Sequence, residues 1–160
     1  MASTREKQRI IRAYKDETGD LELDMRKVAT WAASKGWPLP KPPTAIDILT
    51  KQFSDAARVE TRRDPKTGRP YRANHSIVTT QGGTQLHLWI DIDEAKRGPM
   101  LKSLVNRREQ MVGDGLQLSL DIEHWNSINP AEEPIDLPMD LTFDIELRKN
   151  APDEDDREAA

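Results

Sequence analysis

The chain has 160 residues, 36% hydrophobic and 32% charged, with a formal net charge of −4, which fits one ordinary domain with a modest core and a heavily charged surface. Having no cysteine, it can form no disulfide, no thiolate zinc site and no cysteine nucleophile. No run of about 18 apolar residues signals a membrane span, and the start, MASTREKQRIIRAYKDE, lacks the apolar stretch of a secretory signal, so cytoplasmic residence is the expectation.

Taken in chain order, Arg5–Lys15 reads as a first helix, with Ile10, Ile11 and Tyr14 on one side and Thr18-Gly19 as its stop. Asp24 is placed to cap a second helix in which Met25, Val28, Trp31 and Ala32 share a face, and Gly36 stands where a left-handed C-terminal residue is needed. The run Trp37-Pro38-Leu39-Pro40-Lys41-Pro42-Pro43 cannot be helical, because each proline holds the residue before it extended. Thr44 followed by Asp47 resembles a capping box with a shortened acid and opens a third helix, expected to reach about Thr61.

Asp64-Pro65-Lys66-Thr67-Gly68 is a turn by its chemistry. Two strand-like runs follow, Pro70–Thr79 and Gln85–Asp93, joined at Gly82-Gly83, where a tight hairpin loop needs positive φ. Alternation in the second run puts Leu86, Leu88, Ile90 and Ile92 inward and His87, Trp89, Asp91 and Asp93 outward. In the first run His75 falls with apolar neighbours, which marks it as a hydrogen-bonded histidine facing the core. Pro99 is placed to open a fourth helix, reaching Asn126 or so, in which Leu104, Met111, Leu118 and Trp125 recur every seven residues. Gly113 and Gly115 each cost that helix about 1 kcal/mol, so a kink is expected there.

The coarse organisation is therefore a domain over residues 1–95, a long amphipathic helix over 96–128, an irregular packing arm over 129–150 and an acidic disordered tail over 151–160. The arm is expected to pack Ile135, Leu137, Leu141 and Phe143. The fold class is α+β, mostly α: three helices, a β-hairpin, then the long helix and the arm.

Catalytic chemistry finds no support. There is no nucleophile elbow, no phosphate loop and no Ser-x-x-Lys. Strand residues four apart lie about 13 Å apart, so His87 and Asp91 cannot share an ion. No catalytic residue, metal or cofactor is assigned.

Charge is spread unevenly. Residues 1–80 hold 16 Lys and Arg against 10 Asp and Glu, and residues 81–160 hold 8 against 18. A basic half beside an acidic half suggests a polyanion-binding surface; an ordinary solvated face explains it equally well. The order helix, helix, proline loop, helix, basic turn, hairpin resembles a winged helix-turn-helix over about Arg5–Asp93. The resemblance rests on element order and charge placement, and the Trp37–Pro43 segment is longer than the turn of the simple motif. It implies a recognition helix at Thr44–Thr61 and a wing tip at Thr79–Thr84. Residues that would face duplex DNA are Lys51, Gln52, Ser54, Arg58, Arg62, Arg63, Lys66, Arg69 and Arg72, with Lys51, Arg58 and Arg62 on one helix flank. The run RREQMVGDGLQLSLDIEHWNSINPAEEPI is also similar to short bacterial proteins of no assigned role.

The competing expectation is a protein-interaction or adaptor module without a nucleic-acid role. In it the seam Leu104, Met111, Leu118 and Trp125 meets another chain or a second copy. The two expectations can coexist, because winged-helix proteins commonly dimerise through an added helix.

Overall fold

The structure is a computed structural model in which residues 2–151 are described; all of the tail expected over 151–160 except its first residue lies outside them. It is a mixed α+β, mainly helical fold that divides between Ile48 and Leu49 into two compact units.

The first unit is a helical hairpin. Helix α1 (Thr4–Thr18) begins with a reciprocal capping box between Ser3 and Glu6 and ends at Gly19, whose φ of 72° is left-handed. Helix α2 (Met25–Ser34) starts on Asp24, whose carboxylate accepts from the Arg26 N–H at 2.8 Å. Between the helices Tyr14, Val28 and Ala32 are buried. Trp31 meets Tyr14 edge-on with ring centroids 5.7 Å apart. Glu17 then accepts from Trp31 Nε1 at 3.1 Å and pairs with Lys35 at 3.3 Å, closing the open side of the aromatic pair.

Helix α3 (Ala45–Val59) starts as expected: Thr44 and Asp47 cap each other, with the Asp47 N–H donating to Thr44 Oγ1 at 3.1 Å. It ends two residues earlier than expected, because Thr61 belongs to a strand. Strands β1 (Thr61–Arg63) and β2 (Pro70–Arg72) pair antiparallel, Arg62 opposite Tyr71. The basic turn is their connection, and Asp64 Oδ1 accepts from the Lys66 and Thr67 N–H groups. The expected single strand over 70–79 breaks at Ala73, which is fully buried. Its N–H donates to the Glu60 carbonyl and its carbonyl accepts from Ile92.

Strands β3 (Asn74–Gln81) and β4 (Thr84–Asp91) form the main hairpin around Gly82 and Gly83, both at positive φ. His75 sits opposite Ile90, Ile77 opposite Leu88 and Ser76 opposite Trp89. His75 is buried, its Nε2 3.1 Å from the Arg72 carbonyl oxygen. The aliphatic side of β4, in contrast, is not a sealed core. Leu88 is 43% exposed and Leu86, Ile90 and Ile92 are half-buried, as is Trp89 on the side expected to face water. The expected inward and outward split is therefore not what burial shows, since Trp89 and Asp91 are half-buried, as Leu86 is, and more covered than Leu88. A two-stranded ribbon has too little covering it to bury either face completely.

Helix α4 (Arg97–Ile128) starts two residues before Pro99 and runs 32 residues without a break. It is tied to β3 by Ser103, whose hydroxyl donates to the Ser76 carbonyl at 2.9 Å, and by Lys102, which donates to the Val78 carbonyl at 2.9 Å. Gly115 does not interrupt the helix; it makes room. A Cβ there would lie 2.9 Å from Met139 Cε, whereas Gly113 faces open space. The chain after α4 folds back along it. Asn126 clamps the Ile135 backbone through two hydrogen bonds of 2.9 Å, and α5 (Thr142–Lys149) closes the arm. Met139, Leu141 and Ile145 share one groove with Met111, Val112 and Gly115. The arm expected to be irregular is helical over Thr142–Lys149, and of the four residues expected to pack, Phe143 is 75% exposed and Ile135, Leu137 and Leu141 are 40–51% exposed.

Candidate interaction surfaces

The basic stripe divides once its partners are visible. On α3, Lys51 and Arg58 both pair with Asp55, Arg58 at 3.0 Å, and Lys51 foremost holds that carboxyl below its usual range. Ser54 spends its hydroxyl on the Thr50 carbonyl, and Gln52 is exposed. Arg63 donates to the Gly68 carbonyl at 3.0 Å, and Arg69 to the Asn150 side chain at 3.1 Å. Lys66 and Arg72 are exposed and have no ion pair among the described residues.

Arg62 departs furthest from expectation. It lies in β1, beyond the end of α3, so it is not on a helix flank with Lys51 and Arg58. Its guanidinium forms a fork on Asp91, with bonds of 2.9 and 2.8 Å. A third bond of 2.7 Å reaches Asp93, and Glu60 lies at 3.4 Å. Tyr71 Oη donates to Asp93 at 3.0 Å, and the Asp93 N–H donates to Asp91 at 2.9 Å. Hydrogen bonding to Arg62 holds the Asp91 carboxyl below its ordinary value, while Asp91, then Asp93, raise that of Arg62. The two carboxylates that a strand places two residues apart thus serve the chain's own guanidinium, in the planar two-bond geometry arginine favours. The signal in the sequence was the acidic pair Asp91/Asp93. What sequence could not supply was that β1 brings Arg62 beside it. Among the described residues no group of three or more His, Asp or Glu is arranged to hold a metal ion.

The α4 seam is the other surface. Leu104, Met111, Leu118 and Trp125 are 38–55% exposed, and just one α4 residue, Ser103, is buried. A straight helix turns a seven-residue seam by about 20° per heptad, about 60° over these four residues, so they form one stripe. The helix is nonetheless not amphipathic as expected, because Leu101, Val105, Val112, Leu116 and Leu120 are exposed around it as well. Charge along α4 is polarised: Arg97, Lys102, Arg107 and Arg108 with Glu109 occupy its first half, and Asp114, Asp121 and Glu123 its second. Helix α3 adds further apolar surface. It buries no residue, and Phe53 is 69% exposed.

No described helix is long and apolar enough to cross a membrane. No protein family, curated protein or solved structure matches this chain.

Proposed function

We propose that the chain is a non-enzymatic self-assembling module that pairs with a second copy, antiparallel, along α4. The observation that carries this reading is the continuous, half-exposed seam on a helix that buries a single serine. Contiguous apolar surface of that extent marks an interaction face. The described residues bury just four hydrophobic side chains, Tyr14, Val28, Ala32 and Ala73, little for a chain of this size, so burial by association supplies what the monomer lacks.

The partner follows from the helix itself. A seam repeating every seven residues fits an equal seam. Counted from the sequence, residues 97–112 carry a net +3 and residues 113–128 a net −3. Parallel pairing sets like charges together; antiparallel pairing sets each basic half against an acidic half. The arrangement is isologous, with Leu104 facing Trp125 and Met111 facing Leu118 across a two-fold axis. Sedimentation equilibrium tests it: a species of twice 18.2 kDa that dissociates on dilution and is lost in Leu104→Glu/Leu118→Glu with helicity retained. An 18.2 kDa species at every concentration contradicts it.

Duplex DNA binding through the basic third helix and hairpin is the second reading, favoured by the unpaired, exposed Lys66 and Arg72. With Arg62 engaged by carboxylates, about three or four cations remain for phosphates, giving a log–log salt slope of roughly −3 to −4 on random duplex. Lys66→Ala/Arg72→Ala should reduce that slope by about two. Salt-independent or undetectable binding removes this reading.

A further inference from the structure

A small hollow in the 49–151 unit is required by neither reading, although Arg58 and Arg72 on its wall are also cations of the duplex reading. It has a volume of about 150 Å³ and is walled by Arg58 of α3, Arg72 of β2, Asn74 and His75 of β3, Trp89 of β4 and Arg107 of α4. Three arginines from three separate elements line one space, and no acidic residue lines it. Arg58 shares Asp55, but Arg72 and Arg107 have no ion pair among the described residues. Converging like charges repel one another, and an anion between them turns that repulsion into charge-assisted hydrogen bonding.

The wall is fixed in place by bonds that do not use the arginines' side chains. The Arg72 carbonyl oxygen lies 3.1 Å from His75 Nε2. Asn74 Nδ2 donates to the Ala57 carbonyl at 3.2 Å and to Glu60 at 2.7 Å, which ties the end of α3 to β3. At about 150 Å³ the space is well below the roughly 300 Å³ where small-molecule pockets begin, so it suits a phosphate group with the remainder of a ligand at its rim. Trp89 forms part of that wall, and an indole beside arginines is the pairing used to hold a base next to its phosphate.

We propose that this hollow binds the phosphate of a nucleotide, on Arg72 and Arg107, with the base against Trp89. Such a base must be unpaired, so the nucleotide is either free or part of a single strand; the site shares Arg72 with the duplex reading and Arg107 with the basic half of α4.

The test is calorimetry on the full chain at low salt with three probes: inorganic phosphate, ADP and a short oligothymidylate. ADP and the oligothymidylate should bind, both more tightly than phosphate. Arg72→Gln/Arg107→Gln should weaken all binding at least tenfold, and Trp89→Leu should bring ADP down to the level of phosphate. Where the double variant fails to fold, the exposed Arg107→Gln alone replaces it, with folding verified by circular dichroism. Comparable affinities for ADP and the oligothymidylate identify a free nucleotide; a strand bound at least tenfold more tightly identifies single-stranded nucleic acid. The proposal is overturned if no probe binds, if ADP binds no better than phosphate, or if the arginine variants bind like the parent.

Discussion

In α1 and α2 the apolar residues meet one another: Tyr14, Val28 and Ala32 are buried, Trp31 closes edge-on over Tyr14, and Glu17 with Lys35 seals the rim. In α4, about twice as long as α1, the buried residue is a serine and the leucines stand half in solvent. The hairpin α1–α2 satisfies its apolar face within itself. Helix α4 is fixed to β3 through Ser103 and Lys102 and to its arm through Asn126 and Gly115; the arm borders the seam at Met111 and Gly115, yet all four seam residues stay 38–55% exposed. Residues of equal hydrophobicity therefore have different surroundings: those of the hairpin are buried against one another, and those of the seam stand half exposed.

The largest effect should come from Tyr14→Ala. Emptying the aromatic pair should cost about 3 kcal/mol, seen as a lower denaturation midpoint of α1–α2 that does not depend on protein concentration. Leu118→Glu probes the opposite side of the comparison. It should raise the dimer dissociation constant by about 100-fold, the loss of a buried hot-spot residue, while the monomer keeps its helicity. If Leu118→Glu instead unfolds α4 at all concentrations, Leu118 is intramolecular core and the contrast fails.

Arg62→Ala should come next, lowering the melting temperature of the 49–151 unit by removing the fork that joins β1 to the end of β4. Arg62→Lys should restore that only in part, because an ammonium cannot make two parallel bonds to Asp91; Lys66→Ala should change nothing. The same junction sets an acid response. The Asp91 carboxyl is held below its ordinary value by Arg62, so its contribution is complete above the unfolded carboxylate range and declines as pH falls below about 4. Acid titration of Asp91→Asn should lack that component, and an identical acid profile would show that the fork does not support the fold.

The smallest effect separates two glycines. Gly113→Ala meets open space and should stabilise α4 by about 1 kcal/mol through helix propensity alone. Gly115→Ala must displace the Met139 methyl and should gain less. Equal gains, measured by thermal denaturation, would mean the arm is not seated on Gly115.

These contrasts also show what could be read from sequence. Caps were legible because they are local: Asp24, the Thr44–Asp47 pair and Gly82-Gly83 act over a few residues, and each was found where expected. Period-two alternation gave the pairing parity of β3 and β4, but not how deeply they are buried, which depends on what lies over them. Short strands were harder to read: β1 escaped detection and β2 was merged with β3 into one run, since each has three residues, too few for a period to show. Arg62 was misread for that reason, since a helical extension would have put it beside Arg58. Gly115 was read as a helix breaker because its partner, Met139, lies 24 positions along the chain.

The central claim is that α4 pairs with itself in antiparallel fashion, and the absence of cysteine makes a direct measurement available. Met111→Cys and Leu118→Cys proteins are prepared separately, oxidised alone and as an equal mixture, and resolved without reductant. In the antiparallel pair Met111 faces Leu118, while two copies of either residue lie about 10 Å apart along the axis, beyond the roughly 7 Å that a disulfide spans. The account predicts a disulfide-linked dimer in the mixture and little in either protein alone. Efficient linkage of each protein with itself would mean parallel pairing, and no linkage in any sample would contradict assembly through this seam.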